Sequence, residues 1–174
     1  MSIRPVLLLG DPRLRAPCAR VRRYDTSDLG ALVADLADTL AECRSRCGFG
    51  RGISAPQIGD SRRVVYIDVD GPLVLVNPEI VRSSRQMMTL WDDCFSFPDL
   101  SVKLKRHLAV DVRYRDAGGK EHVLKARGSL AELAQHEIDH VNGVLAIDRA
   151  VDSRHIVYTA ELKKLTLGTA HKEM

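Results

Sequence analysis

The chain of 174 residues lacks any apolar run long enough to span a bilayer. Its N-terminal stretch, Met1 to Gly10 with Val6-Leu7-Leu8-Leu9 at the centre, is also too short for a signal peptide and has no small-residue cleavage pattern. A cytoplasmic protein without membrane attachment is therefore expected. An excess of one charge is missing too: 26 Lys and Arg stand against 23 Asp and Glu, the formal net charge is +3, and the basic residues are scattered. A nucleic-acid partner is not expected. The sequence has no internal repeat, linker or low-complexity stretch, so a single domain over residues 1–174 is predicted. Cysteine is sparse. Of the four, Cys43 and Cys47 lie four apart near a predicted helix end with no partners to complete a metal site, and Cys18 and Cys94 stand alone. Free thiols, rather than disulfides, are the expectation in a reducing compartment.

What the sequence does contain is the run Gln135-His136-Glu137-Ile138-Asp139-His140, an H-E-x-x-H pattern inside a predicted helix from Ser129 to about Asn142, stopped by Gly143. Histidines four apart lie one turn above each other on one helical face, so both imidazoles can reach one divalent ion such as zinc or iron. Glu137 follows the first histidine directly, where a carboxylate can take a proton from water beside the ion without being a ligand. A catalytic metal usually has three protein ligands. The third is open between Cys94, in the loop-like stretch Trp91 to Pro98, and Glu161, which lies beyond His140 on a predicted final helix and would suit a zincin metallopeptidase. The other zincin layout needs a third histidine at position 146, where Ala stands.

Around this helix the periodicity predicts an amphipathic helix from Ser27 to about Cys47, with Thr26 or Ser27 as cap and Gly48 as stop. Strands are predicted at Arg63 to Val69, Leu73 to Ile80, His107 to Tyr114 and His122 to Ala126, with a short final helix from Ser153 to Leu167. Gly48 to Gly59 is too rich in glycine for a helix, and no Gly-Lys-Ser/Thr follows that would make it a phosphate cradle. This order implies an α+β fold with mostly antiparallel sheets packed around a central metal-binding helix.

Three stretches together resemble the peptide deformylase family. Gly50-Arg51-Gly52-Ile53-Ser54-Ala55-Pro56-Gln57 is similar to its G-x-G-x-A-A-P-Q loop, Asp92-Asp93-Cys94-Phe95-Ser96 to its E-G-C-L-S loop, and Gln135 to Gly143 to its Q-H-E-x-D-H-L-x-G helix. Val6 to Leu14 and Val76 to Ile80 extend the resemblance over most of the chain. It implies a hydrolase that removes an N-formyl group, most simply from the formyl-methionine of new peptides, with a divalent metal held by Cys94, His136 and His140. Fe(II) or Zn(II) suits this thiolate and imidazole set, with Ni or Co as substitutes. Glu137 would serve as general base and then as acid to the leaving amine. Gln57 and the backbone N–H of Phe95 would meet the oxyanion, and the glycine loop, through Gly50, Arg51 and Gly52, would pair in extended form with the substrate. A transient association with the ribosome fits this reading.

The chain also departs from the family pattern. Asp92 shortens a glutamate that can still pair with Arg106, and Asp93 replaces a glycine, which implies either altered backbone dihedrals or a carboxylate facing the cleft. Glu132 and Ser129, four and seven residues before His136, share its helical face at positions that are apolar in typical deformylases, and Arg51 stands where an aliphatic residue is usual. Arg51 and Glu132 are expected either to pair across the pocket mouth, to recognise a polar substrate, or to turn to solvent. These departures keep two alternatives in view: a hydrolase of a different formylated or small amide substrate, and a catalytically silent metal-binding module.

Overall fold

The computed structural model describes residues 2–162 and 164. Helix α1, Ser27–Cys47, begins where the Thr26 hydroxyl accepts the Leu29 N–H at 3.2 Å and ends at Gly48, whose φ of 76° is left-handed. Its inward face, Leu29, Leu32, Leu36, Leu40 and Cys43, packs on Ile53, Val64 and Val76. Cys43 is a core thiol, as expected, and the cysteines of the chain are free.

Five antiparallel strands form one sheet in the order β1 (Gly52–Ser54), β2 (Val64–Asp68), β3 (Pro72–Ser83), β6 (Ala109–Arg115), β7 (Glu121–Arg127). A second sheet has the order β4 (Met87–Asp92), β5 (Leu100–His107), β8 (Ile156–Tyr158). Helix α2, Gly128–Val141, touches β1, β2, β3, β6 and β7 of the first sheet and β5 of the second. Because it is enclosed in this way, every residue from Ala131 to Val141 is buried. The α+β architecture around a central helix is the one anticipated.

Two parts of the sequence reading need correction. Trp91 and Asp92, in the stretch expected to be loop-like, close strand β4, and β5 precedes the strand expected to start at His107. In β5 the alternation is hidden because the inward position 106 is an arginine rather than an apolar residue. The predicted helix from Ser153 is replaced at its start by a short 3-10 turn and then by β8, whose β-branched Ile156 and Val157 pair with Val102 and Ser101 at the edge of β5. Helix begins only at Thr159, and residues 163 and 165–167 of the predicted element lie outside the described residues.

Arg106 ties the second sheet to α2. Its side chain is 2% exposed and bonds Asp92 at the end of β4 at 3.1 Å and Asp139 of α2 at 2.5 Å, while Arg149 holds Asp139 from the other side. Deleting one member of such a buried network strands the others. Arg106→Met is expected to cost about 3–5 kcal/mol, read from urea unfolding, and a loss under 1 kcal/mol would remove the clamp from its structural role.

Candidate metal centre

Three donors converge between α2 and the loop after β4. His140 Nε2 lies 3.3 Å from Cys94 Sγ and 3.2 Å from His136 Nε2, and all three residues are buried. Zinc bonds of ordinary length in a tetrahedron give edges of roughly 3.3–3.6 Å between donors. The donor set therefore fits a small divalent ion in both chemistry and spacing. Asp92, Glu132 and His136 also approach one another within 4.8 Å. Their atoms are committed elsewhere: Asp92 Oδ2 accepts from Arg106 and from His136 Nδ1 at 3.0 Å, and Glu132 is paired with Arg51.

The Asp92 contact fixes which ring nitrogen of His136 is protonated, leaving Nε2 free to act as a donor to an ion. Burial works against charge on His136, yet Asp92 and the Cys94 sulfur more than offset it and hold the pKa well above its ordinary value. His140, buried and beside His136, is pushed well below. Burial also pushes the Asp92 carboxyl up, but His136 and then Arg106 outweigh it and bring it down to about 2.

Glu137 lies on α2 beside the candidate donors, 3% exposed. Burial raises its carboxyl pKa, and the Ser54 hydroxyl, 2.5 Å from Oε2, opposes the rise. Gly52 leaves space for this carboxylate, because a Cβ there would stand 2.9 Å from Glu137 Oε1. Gly50, with φ of +121°, leaves similar space for the Phe95 ring, which stacks on Phe49 at 5.4 Å. Gln57 is oriented by its own oxygen: Oε1 accepts the Ser54 N–H at 2.9 Å, so Nε2 faces Cys94 Sγ at 3.5 Å. Ser54 was not singled out in the sequence, although it stands at a motif position where the family has alanine.

A cavity of about 410 Å³ opens over these groups, lined among others by Phe49, Phe95, Leu133, Arg51, Glu132 and Asp93. Arg51 and Glu132 pair across it, Nη2 to Oε2 at 2.5 Å, and Arg51 Nη1 also donates to the Ser129 carbonyl at 3.2 Å. Ser129 itself is exposed and its side chain does not line the cavity. Asp93 keeps a negative φ, so the first of the two expectations for this position is not met, and the residue, exposed to solvent, is among those lining the cavity. The cavity wall partly desolvates it, and this and then Asp92 raise its pKa. Glu161 lies apart from the donors, exposed and bonded to Lys164 at 2.6 Å.

A family model for polypeptide deformylase matches residues 3–155. A peptide deformylase of Brucella suis is 36% identical over 100% of this chain and 99% of its own. Among solved structures, a peptide deformylase from Thermotoga maritima superposes with a TM-score of 0.81 at 31% identity, covering 87% of this chain and 100% of that one. A class I type b peptide deformylase from Acinetobacter baumannii with Met-Ala-Ser bound superposes with a TM-score of 0.79 at 29% identity, covering 85% of this chain and 98% of that one.

The geometry separates the two candidate third ligands. Cys94→Ala is expected to abolish stoichiometric metal binding, and Glu161→Ala to leave metal content unchanged, by elemental analysis of purified protein. Asp92 yields a pH prediction. Its lowered pKa gives stability that is complete above the unfolded value of about 3.9 and is lost as pH falls through about 2. Asp92→Asn should therefore flatten the acid limb of the stability curve between roughly pH 4 and 2, and an unchanged limb in acid titration would dissociate Asp92 from that loss.

Proposed function

The chain belongs to the peptide deformylase family, the metal-dependent hydrolases that remove the N-formyl group from nascent peptides, and we propose that in this member Cys94, His136 and His140 hold the metal while Glu137 moves the proton. The observation that carries the reading is the convergence of one sulfur and two imidazole nitrogens beside a buried carboxylate. Fe(II) or Zn(II) is the proposed ion, with Ni or Co able to substitute. When bound, such an ion polarises the formyl carbonyl and makes water more acidic.

The protein groups then divide the work. Glu137 Oε1 accepts a proton from the attacking water, and the Ser54 hydroxyl on Oε2 holds the carboxylate in place. As water adds to the formyl carbon, Gln57 Nε2 and the Phe95 N–H donate to the oxygen that becomes negative. Glu137 returns its proton to the nitrogen as the C–N bond breaks, so that formate and a free amine leave. Strand β1 ends its sheet, so an extended substrate can add along its free edge at Gly50 to Gly52.

An N-formylated peptide is the proposed substrate class, supported by the Met-Ala-Ser bound to the Acinetobacter relative. We read the chain as a single catalytic unit over residues 1–174 acting in the cytoplasm, with transient ribosome association. Among the described residues no helix is long and apolar enough to cross a membrane. The retention of a complete donor set with a positioned acid/base group weighs against a silent binding module.

The test is formate release from formylated peptides by protein purified anaerobically with Fe(II). Glu137→Ala should keep its metal and lose turnover, whereas retained turnover would remove Glu137 from the proton transfers. Gln57→Leu should lose about 3 kcal/mol of transition-state stabilisation, near a hundredfold in kcat, with KM little changed. A change confined to KM would make Gln57 a binding group instead.

A further inference from the structure

The cavity holds an ion pair whose two ends differ in exposure. Glu132, one turn before His136, has a side chain 9% exposed, whereas Arg51 reaches it from the glycine loop and is 43% exposed. The other charges around the cavity are committed: Arg44 to Asp68 and the Gly50 carbonyl, Asp92 to Arg106 and His136, Glu137 to Ser54. Asp93 has no hydrogen bond or ion pair among the described residues.

A substrate side chain entering here meets this pair in one of three ways. An apolar group either packs against the charged pair and loses part of its transfer energy, or pushes Arg51 away and strands Glu132. An anion that draws Arg51 to itself also strands Glu132, beside the carboxylates of Asp92 and Asp93, which is the costly way to break a buried pair. A cation takes the place of Arg51, and Glu132 stays paired. Arg51 then turns into water, where an exposed ion pair is worth little, and Asp93 gains an opposite charge. The third exchange alone leaves no buried charge without a partner.

We propose that Arg51 and Glu132 form an exchangeable ion pair that selects formylated substrates with an ammonium or guanidinium on the side chain next to the formylated nitrogen, an inference that rests on the deformylase reading. Arg51 acts as the resident cation of the pocket and Glu132 as the group that reads the incoming one. Methionine-like side chains are accepted poorly because they leave the pair intact and pack against it.

The experiment compares formyl-Lys-Ala-Ser, formyl-Met-Ala-Ser and formyl-Glu-Ala-Ser as substrates of the Fe(II)-loaded protein. Calorimetric binding of the product tripeptides Lys-Ala-Ser, Met-Ala-Ser and Glu-Ala-Ser runs beside it. Wild-type protein should favour the lysyl over the methionyl substrate by about tenfold or more in kcat/KM, with the glutamyl substrate poorest. Glu132→Ile should reverse the order, chiefly through a lower KM for the methionyl substrate, because side-chain burial is shared by ground and transition states. Glu132→Gln, nearly the same shape, should lose the lysyl preference, and Arg51→Ala should keep it. A wild-type preference for methionyl or glutamyl substrate, or a lysyl ratio unmoved in both Glu132 variants, overturns the proposal. If no peptide releases formate, the deformylase reading fails for this chain while binding still decides the selectivity: a lysyl preference lost in Glu132→Gln supports it, and equal or absent binding of the three tripeptides overturns it.

Discussion

Helix α2 is buried on every side, yet it carries Glu132, Gln135, His136, Glu137, Asp139 and His140 in its enclosed part. Polar groups removed from water are costly unless each finds a partner, and most of the surrounding structure is the set of partners. Gln135 closes on the backbone of His107 with both ends of its amide. Asp139 is held by Arg106 and Arg149, His136 by Asp92, Glu137 by Ser54 and Glu132 by Arg51. These contacts bring several elements against the helix, so satisfying them also fixes the positions of β1, β4, β5 and the loops between them. His140 Nδ1 is the buried helix atom without a partner among the described residues.

The three candidate metal donors, Cys94, His136 and His140, depend on this arrangement more than on their own loops. Cys94 lies two residues beyond the end of β4, and β4 is anchored to α2 through Asp92, which bonds both Arg106 and His136. Metal ligands of this kind are oriented by the groups behind them. A carboxylate one bond too long or too short at position 92 would act on the tautomer of His136 and on the seat of Cys94 together. The aspartate at this position reaches both partners.

Much of this was legible in the sequence. The H-E-x-x-H spacing gave the shared face of His136 and His140, and the capped amphipathic pattern gave α1 with its bounds. The metal-ligand pairing of Cys94 with α2 was not derivable from periodicity, because it joins residues far apart in the chain, and only the joint resemblance of three motifs pointed to it. Strand β5 was hidden because Arg106 faces inward, a choice that makes sense only once Asp92 and Asp139 are seen on either side. Strand β8 owes its form to pairing with β5, a tertiary effect that local propensity does not contain. The face of Glu132 could be read from helical spacing. Its partner could be offered only as one of several possibilities, because the reach of Arg51 from the glycine loop depends on the fold.

The site therefore contains buried carboxylates held in two physically different ways. Asp92 is paired with Arg106, itself 2% exposed, and separating them would leave both charges in the interior. Glu132 is paired with an arginine 43% exposed, which can leave for water at little cost if another cation replaces it. The first arrangement resists any ligand and keeps the histidine and cysteine donors in fixed relation. The second can respond to a ligand without disturbing them, since among the described residues Glu132 has no hydrogen bond to any of the three donors. In the proposed function, chemistry and selection stand one helical turn apart on α2, held by guanidinium groups of opposite accessibility. The depth of each arginine, rather than the presence of a salt bridge, determines which carboxylate is scaffold and which is reader.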